Sequence, residues 1–185
     1  MTIHVVHFVG PINQPTTNAI QEASLTAMQQ GATAIHYHLS TEGGSTFHGF
    51  TLYNFIRSLP VPTVMCNIGS VQSMGIILYL AADLRVAAPH SRFLLHPMNW
   101  NFGGAGAVDH ARLIEHTTSL NDDVDRYVDI FNERTQGGAE PLDVRGCLQN
   151  TSRILSAQSA ASTNLATEVA EVLVPAEART WWINA

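Results

Sequence analysis

The alternation of strand-like and helical segments in the first half of the chain constrains the fold more than any other feature. The segments rich in β-branched residues are IHVVHFVG, AIHYHLS, TVMCNIG, LRVAAP and RFLLHP, and helical patterns separate the first four of them. We expect Thr17 or Asn18 to cap the first helix and Gly31 to follow its end. Strands joined by helices pair in parallel through right-handed crossovers. The sequence therefore predicts an α/β fold with a largely parallel sheet.

The second half begins with one long helical pattern over residues 107–135. Its apolar residues fall along one side of the helix, namely Leu113, Leu120, Val124, Tyr127, Val128 and Phe131. A short helix is predicted over 142–149, a turn plus helix in RILSAQSAASTNLA, and a closing strand in EVAEVLVP. With 185 residues and no linker or repeat, the chain is predicted to be a single domain, 1–185.

Composition excludes several classes of function. The chain has no lysine and a formal net charge of −6, so it lacks the basic surface that nucleic acids require and any lysine-based chemistry. The first residues have neither the basic nor the apolar region of a signal peptide, and no apolar run reaches about 18 residues. We therefore expect a cytoplasmic protein with no nucleic-acid or membrane partner.

Three polar features follow predicted strands, at the sheet edge where α/β proteins form their sites. They are Gly43-Gly44, Ser73 and His96. Each has an ordinary structural explanation: a tight turn, a helix N-cap and a histidine of the core. Together they could supply backbone amides for an oxyanion, a nucleophile and a general base.

A metal or cofactor is not predicted. His36 and His38 lie two residues apart on one strand, where a metal pair is conceivable. No third ligand with a recognised spacing follows them, and a structural zinc site needs four ligands.

The segment from HLSTEGGSTFHGF through NIGSVQSMG to SRFLLHP resembles the centre of the ClpP family, the serine peptidases that form the proteolytic subunit of Clp protease. The resemblance extends over nearly the whole chain. It implies the ClpP/crotonase fold, with repeated ββα and βα units, a largely parallel sheet and a protruding handle helix. The head would comprise 1–103 and 150–185, and the handle region about 104–149.

The resemblance also assigns the residues of the site. Ser73, in GSVQSMG, would be the nucleophile, and His96, in SRFLLHP, the general base. The oxyanion hole would be formed by the amide of Gly44, with Gly43 beside it, and by the amide of Met74. The implied reaction is hydrolysis of peptide bonds, or of small amides and esters, through an acyl-enzyme without a cofactor.

One departure from the family concerns the third catalytic residue. The family has an aspartate where this chain has Ser152, in NTSRILSA, with Asn150 and Thr151 before it. Asp143 is the nearest upstream carboxylate and a poor substitute. We expect a serine–histidine dyad supported by Ser152 or Asn150, and a slower enzyme, because the imidazolium loses a stabilising charge.

A second departure concerns assembly. The chain begins at the first core strand, without the family's gating loops, so we expect action without a Clp ATPase. A homo-oligomeric ring is expected because the apolar side of the handle helix needs a partner surface.

Two other functions remain open. One is a crotonase-like enzyme that acts on acyl-coenzyme A thioesters. The crotonase superfamily shares the expected fold, and the segment LAADLRVAAPHSRF also resembles its sequences. The other is a catalytically impaired ClpP-like subunit that assembles with an active paralogue.

Overall fold

The computed structural model describes residues 2–99 and 107–184. The strands in these ranges are β1 (Ile3–Val9), β2 (Ala34–Thr41), β3 (Thr63–Gln72), β4 (Leu84–Ala87), β5 (Arg92–Leu95), β6 (Arg153–Ser156), β7 (Glu168–Val169) and β8 (Arg179–Asn184). The helices are α1 (Gln14–Gln29), α2 (Thr46–Arg57), α3 (Met74–Leu80), α4 (His110–Arg134), α5 (Val144–Gln149) and α6 (Ala157–Ser162).

The strands form one sheet in the order β6-β5-β3-β2-β1-β8, with β4 pairing both β3 and β7. The pairings are parallel except for the antiparallel pair of β5 and β6. The predicted α/β fold with a largely parallel sheet is therefore confirmed. Strand β3 changes its neighbour along its length: Val64–Asn67 pairs with β4, and Ser70–Gln72 pairs with β5. This exchange brings the end of β3 beside the end of β5.

Helix α3 lies at the centre of the core. Every one of its residues, Met74–Leu80, is buried, as expected for a helix that is apolar on all sides. Its burial fixes the position of the residue that precedes it, Ser73, relative to the sheet.

Helix α4 is buried only in its second half. Val124, Tyr127, Val128 and Phe131 are buried, whereas Leu113 and Ile114 are 45% and 53% exposed. The apolar side of the helix is thus buried within the chain only in its second half, and Leu113 on the same side is exposed. The proposed division into head and handle stays a prediction, and its boundary at 103–104 lies outside the described residues.

The predicted start of α1 is wrong. The helix begins at Gln14, and Asn13 is its cap, because the Asn13 side chain accepts from the Thr16 N–H while the Thr16 hydroxyl accepts from the Asn13 N–H. This reciprocal pair satisfies two backbone donors, which a cap at Thr17 or Asn18 would leave to water. Gly31 follows the end of the helix, as predicted.

The C-terminal part differs more from the prediction. RILS forms β6 on the edge of β5 and not a turn, the strand in EVAEVLVP is limited to Glu168–Val169, and β8 was not expected. These short strands are formed by pairing with distant parts of the chain, which local propensity does not record. No helix within 2–99 and 107–184 is both long and apolar enough to cross a membrane.

Candidate active site

A pocket of about 270 Å³ lies at the carboxyl ends of β2, β3 and β5. It brings together four of the predicted site residues, Gly44, Ser73, Met74 and His96. The rest of its lining is Glu42, Thr46, Met98, Asn99, Leu120 and Asp123. Polar groups from separate parts of the sequence therefore converge on one cavity, as they do in enzyme active sites.

Ser73 is held in a strained backbone conformation between β3 and α3. Its φ of 52° and ψ of −127° fall in a region that residues other than glycine rarely occupy, at a cost of about 1–3 kcal/mol. Its hydroxyl makes no capping bond to α3, so the interpretation of Ser73 as an ordinary N-cap is wrong. A serine at a sharp strand-to-helix turn exposes its hydroxyl above the sheet.

Three hydrogen bonds hold the backbone of Ser73 in place. Its N–H donates to the Leu94 carbonyl at 2.9 Å, and its carbonyl accepts from the Ile76 N–H at 3.0 Å. The same carbonyl accepts from the hydroxyl of Tyr127 on α4 at 3.1 Å. Burial raises the pKa of Tyr127, which keeps this hydroxyl protonated as a donor. Strand β5 and helices α3 and α4 together maintain the strained conformation.

Gly43 packs so closely against Ser73 that no side chain fits at this position. It has a φ of +92°, and a Cβ at this position would lie 2.7 Å from the Ser73 Cβ and 2.8 Å from the Gln72 carbonyl oxygen. Its N–H donates to the Thr41 hydroxyl at 3.0 Å. The amide of Gly43 is therefore already bonded, so in the predicted oxyanion hole Gly43 lies beside Gly44 without being a free donor.

Gly44 has a different environment. Its φ is +146°, and a Cβ would collide with the Ile12 carbonyl. The Ile12 N–H donates to the Gly43 carbonyl at 2.7 Å, and the Ser45 N–H donates to the Ile12 carbonyl at 3.0 Å. These bonds fix the turn while the Gly44 N–H has no partner within 2–99 and 107–184. Met74 begins α3 and lines the same pocket, so its amide N–H also belongs to this wall.

His96 follows β5 and is oriented by a backbone carbonyl. Its Nδ1 lies 2.9 Å from the carbonyl oxygen of Pro97. A carbonyl oxygen only accepts hydrogen bonds, so Nδ1 carries the proton in this contact. The other ring nitrogen, Nε2, is then the acceptor. Because Gln72 pairs with Leu94, the residues Ser73 and His96 come just beyond adjacent strand ends.

The predicted supports of His96, Ser152 and Asn150, form no hydrogen bond to it among the described residues. Ser152 and Asn150 line a second pocket, of about 360 Å³. The last pair of β5 and β6 is Leu95 with Arg153, so continuing this register by one residue brings Ser152 opposite His96. Ser152 is therefore a neighbour of His96 without being its hydrogen-bond partner.

Asp143 is committed to another role. Its carboxylate caps α5 by accepting from the Gly146 N–H at 2.9 Å. The expectation that it is a poor substitute for the family's aspartate is consistent with this bond. Among the described residues, the one hydrogen bond of the His96 ring is the bond that Nδ1 donates to the main-chain carbonyl of Pro97.

A family model described as Clp protease matches residues 2–173 of this chain. The chain belongs to the Clp protease family. The predicted resemblance is therefore confirmed, and with it the assignment to a family of serine peptidases. The crotonase-like alternative corresponds to a different family from the one shown.

Curated relatives of the Clp protease family are similar at moderate identity. The ATP-dependent Clp protease proteolytic subunit of Deinococcus radiodurans is 28% identical over 139 residues, which are 73% of this chain and 66% of the relative. The proteolytic subunit 1 of Chlamydia pneumoniae is 27% identical over 142 residues, covering 75% of this chain and 72% of the relative. A mutant of ClpP1 from Listeria monocytogenes superimposes with a TM-score of 0.75 at 22% identity, covering 91% and 92% of the two chains. The last comparison shows the shared fold.

The contributions that α4 and the main chain make to this site are not predicted from the sequence. The sequence pattern places Tyr127 on the apolar side of the helix, and a tyrosine hydroxyl on a buried side of a helix indicates a polar partner. Asp123, one turn earlier, is a carboxylate on the same side of the helix, which is the corresponding signal for a pocket. The Pro97 carbonyl has no signal in the sequence, because any residue would supply it.

His7, His36 and His38 lie on strands β1 and β2 and do not line the pocket. His38 is buried beside His7, with the two ring centroids 4.9 Å apart. Burial is the main cause that lowers the pKa of His38 to about 4, and His7 and His36 add to it. Over 2–99 and 107–184, no group of three or more histidine, cysteine or acidic side chains is arranged to hold a metal ion.

Proposed function

We propose that this chain is a serine hydrolase that cleaves peptide bonds, or small amides and esters, through an acyl-enzyme formed on Ser73. The observation that carries the proposal is the strained conformation of Ser73, at a φ of 52°, in a pocket that His96, Gly44 and Met74 also line. Strain of this kind persists where the surrounding structure enforces it, and it concentrates at functional sites.

In the proposed reaction, the Ser73 hydroxyl oxygen attacks the acyl carbon of the substrate while its proton passes to Nε2 of His96. The amide N–H groups of Gly44 and Met74 donate to the oxyanion. The imidazolium then gives the proton to the departing amine or alcohol, which leaves the acyl group on Ser73. A water molecule, deprotonated by His96, releases the acid product and restores the serine.

The Pro97 carbonyl takes the place of the family's aspartate in this proposal. By accepting from Nδ1 at 2.9 Å, it favours the tautomer in which Nε2 can accept the serine proton. It supplies only a partial negative charge to the imidazolium that forms in the transition state. We therefore expect a competent but slower dyad, in which Ser152 and Asn150 are dispensable.

We further propose that short peptides and esters are cleaved without a Clp ATPase, since such substrates need no unfolding to enter an open pocket. The relatives named above are described as ATP-dependent, so folded proteins are a separate class of substrate. The family forms oligomeric rings, and the exposed Leu113 and Ile114 of α4 support a homo-oligomer for this chain too. A cytoplasmic location stays a prediction.

Covalent labelling with a fluorophosphonate tests the serine mechanism. The parent protein should be labelled, Ser73→Ala should not, and the surface variant Ser162→Ala should be labelled like the parent. Loss of labelling in His96→Ala would agree with its role as base. If Ser73→Ala is labelled as strongly as the parent, Ser73 is not the nucleophile and the proposal is wrong.

A further inference from the structure

We infer that the active-site pocket selects substrates that carry a positive charge beside the scissile bond, such as peptides with an arginine or lysine side chain there. Two carboxylates of the pocket, Asp123 and Glu42, would hold this charge. The inference rests on the proposed function, because it concerns the substrate class of the same site.

Asp123 is placed at the pocket by the contact of α4 with the nucleophile. It lies four residues before Tyr127, whose hydroxyl donates to the Ser73 carbonyl at 3.1 Å. Residues four apart in a helix share one side, with Cβ atoms about 5–6 Å apart. The Asp123 side chain is only 15% exposed, and it lines the same cavity as Ser73. A substrate group bound there would be close to the scissile bond.

The ion pair of Asp123 leaves part of its carboxylate available. Nη1 of Arg126 donates to Oδ1 of Asp123 at 3.3 Å, while Oδ2 has no hydrogen-bond partner among the described residues. The Arg126 guanidinium lies 3.9 Å from the centre of the Phe50 ring, and its side chain is 48% exposed. Arg126 is therefore shared between an aromatic ring, solvent and one oxygen of Asp123. A second cation can bond to the other oxygen.

Glu42, which is exposed, adds a second negative charge to the lining of the pocket. It immediately precedes Gly43-Gly44, and it forms no ion pair within 2–99 and 107–184. Among the described residues, the lining of the pocket contains these two carboxylates and no arginine, and the chain has no lysine. Arg126 offsets part of the charge of Asp123, and Glu42 adds an unpaired negative charge, so the field in the cavity favours cations and disfavours acidic substrates.

The remaining lining suits the long stem of a basic side chain. Met74, Met98 and Leu120 supply apolar surface in the same pocket as the serine and the carboxylates. Lysine and arginine pack their methylene groups on such surface while the charged tip reaches a polar partner. A purely apolar side chain would cover the carboxylates without bonding to them, which costs free energy.

Two diphenyl phosphonate probes test the inference, one with a lysine side chain and one with the norleucine side chain, which lacks the ammonium group. In each case the Ser73 oxygen displaces phenoxide from phosphorus, and the serine proton leaves with it as phenol. For the parent protein, we expect the lysine probe to label Ser73 about tenfold faster, and the ratio should fall with increasing salt.

Variants that replace a carboxylate by the amide of the same shape show which residue causes the preference for the lysine probe. Asp123→Asn should reduce the ratio of the two rates several-fold, and Glu42→Gln about twofold. Asp122→Asn is the matched control, because it removes the same charge from the next residue of α4, which does not line the pocket. Its ratio should equal that of the parent. If Asp123→Asn does not fold, as judged by its thermal melt, Glu42→Gln and the salt dependence decide.

The possible failures are distinguishable. Equal labelling of Ser73 by both probes in the parent overturns the charge preference and leaves the serine mechanism standing. Equal ratios in Asp123→Asn and Asp122→Asn overturn the assignment to a positioned carboxylate. If neither probe labels Ser73, the proposed function and the inference built on it fall together.

Discussion

Replacing Ser73 by glycine removes the proposed nucleophile, and the glycine variant is expected to be more stable than the alanine variant. Ser73 has a φ of 52°, which a side chain with a Cβ atom disfavours and glycine accepts readily. Alanine keeps the Cβ atom and the strain, so Ser73→Ala is the proper reference for Ser73→Gly. The comparison of these two variants isolates the backbone strain from the loss of the hydroxyl.

The size of the effect follows from two opposing contributions. Releasing the strained conformation gains about 1–3 kcal/mol. The greater freedom of glycine in the unfolded chain costs about 0.4–1 kcal/mol. The free energy of unfolding of Ser73→Gly should therefore exceed that of Ser73→Ala by about 1 kcal/mol. In a protein of this size, that difference raises the melting temperature by about 2–4 °C.

Urea denaturation and thermal melting, with both variants at equal concentration, measure the difference. Ser152 provides the control, because it lies outside the set of residues with positive φ: there, Gly should be no more stable than Ala. If Ser73→Gly proves less stable than Ser73→Ala, the conformation of Ser73 is not strained. The conformation of Ser73 would then no longer support its role as the nucleophile.

Three further predictions concern the surroundings of the site. Ser152→Asp should raise kcat for a peptide substrate roughly tenfold or more, because the new carboxylate would lie opposite His96 and stabilise the imidazolium. An unchanged kcat would contradict the placement of residue 152 opposite His96. Tyr127→Phe should lower stability by about 1 kcal/mol and lower kcat with little change in KM, as measured by denaturation and steady-state kinetics. The neutral, buried His38 has a pKa of about 4 against 6.5 when unfolded, so the unfolded chain binds more protons between these values and stability falls as pH decreases through this range. The loss is at most about 3 kcal/mol, and His38→Phe should show a smaller loss in denaturation curves recorded from pH 7 to pH 4.

The sequence is sufficient for the elements whose formation depends on local patterns. The strand-and-helix alternation up to Leu95 predicts β1 to β5 and the helices between them, and the parallel sheet follows from it. Strands β6 and β8 escape prediction because each forms through its pairing with a distant strand, β6 with β5 and β8 with β1. Such pairing depends on residues more than 50 positions away along the chain.

For the candidate site, the sequence predicts the residues that share one sheet edge but not the atoms that they use. The sequence does not distinguish Gly43 from Gly44, yet the Gly43 amide is bonded to Thr41 and the Gly44 amide has no partner within the described ranges. The orientation of His96 depends on a main-chain carbonyl, which every sequence contains. Distinctions of this kind arise from backbone geometry, so they require the folded structure.

Helix α4 connects three properties that the sequence alone treats separately. Its Tyr127 hydroxyl holds the carbonyl of Ser73, and its Asp123 lines the pocket one turn away. Its first half exposes Leu113 and Ile114, the surface that we expect to meet another copy of the chain. A helix is stiff over this distance, so contacts that fix its first half also restrict the movement of Tyr127 and Asp123. If the homo-oligomer forms through this surface, assembly will therefore influence both the geometry of the nucleophile and the charge preference of the pocket.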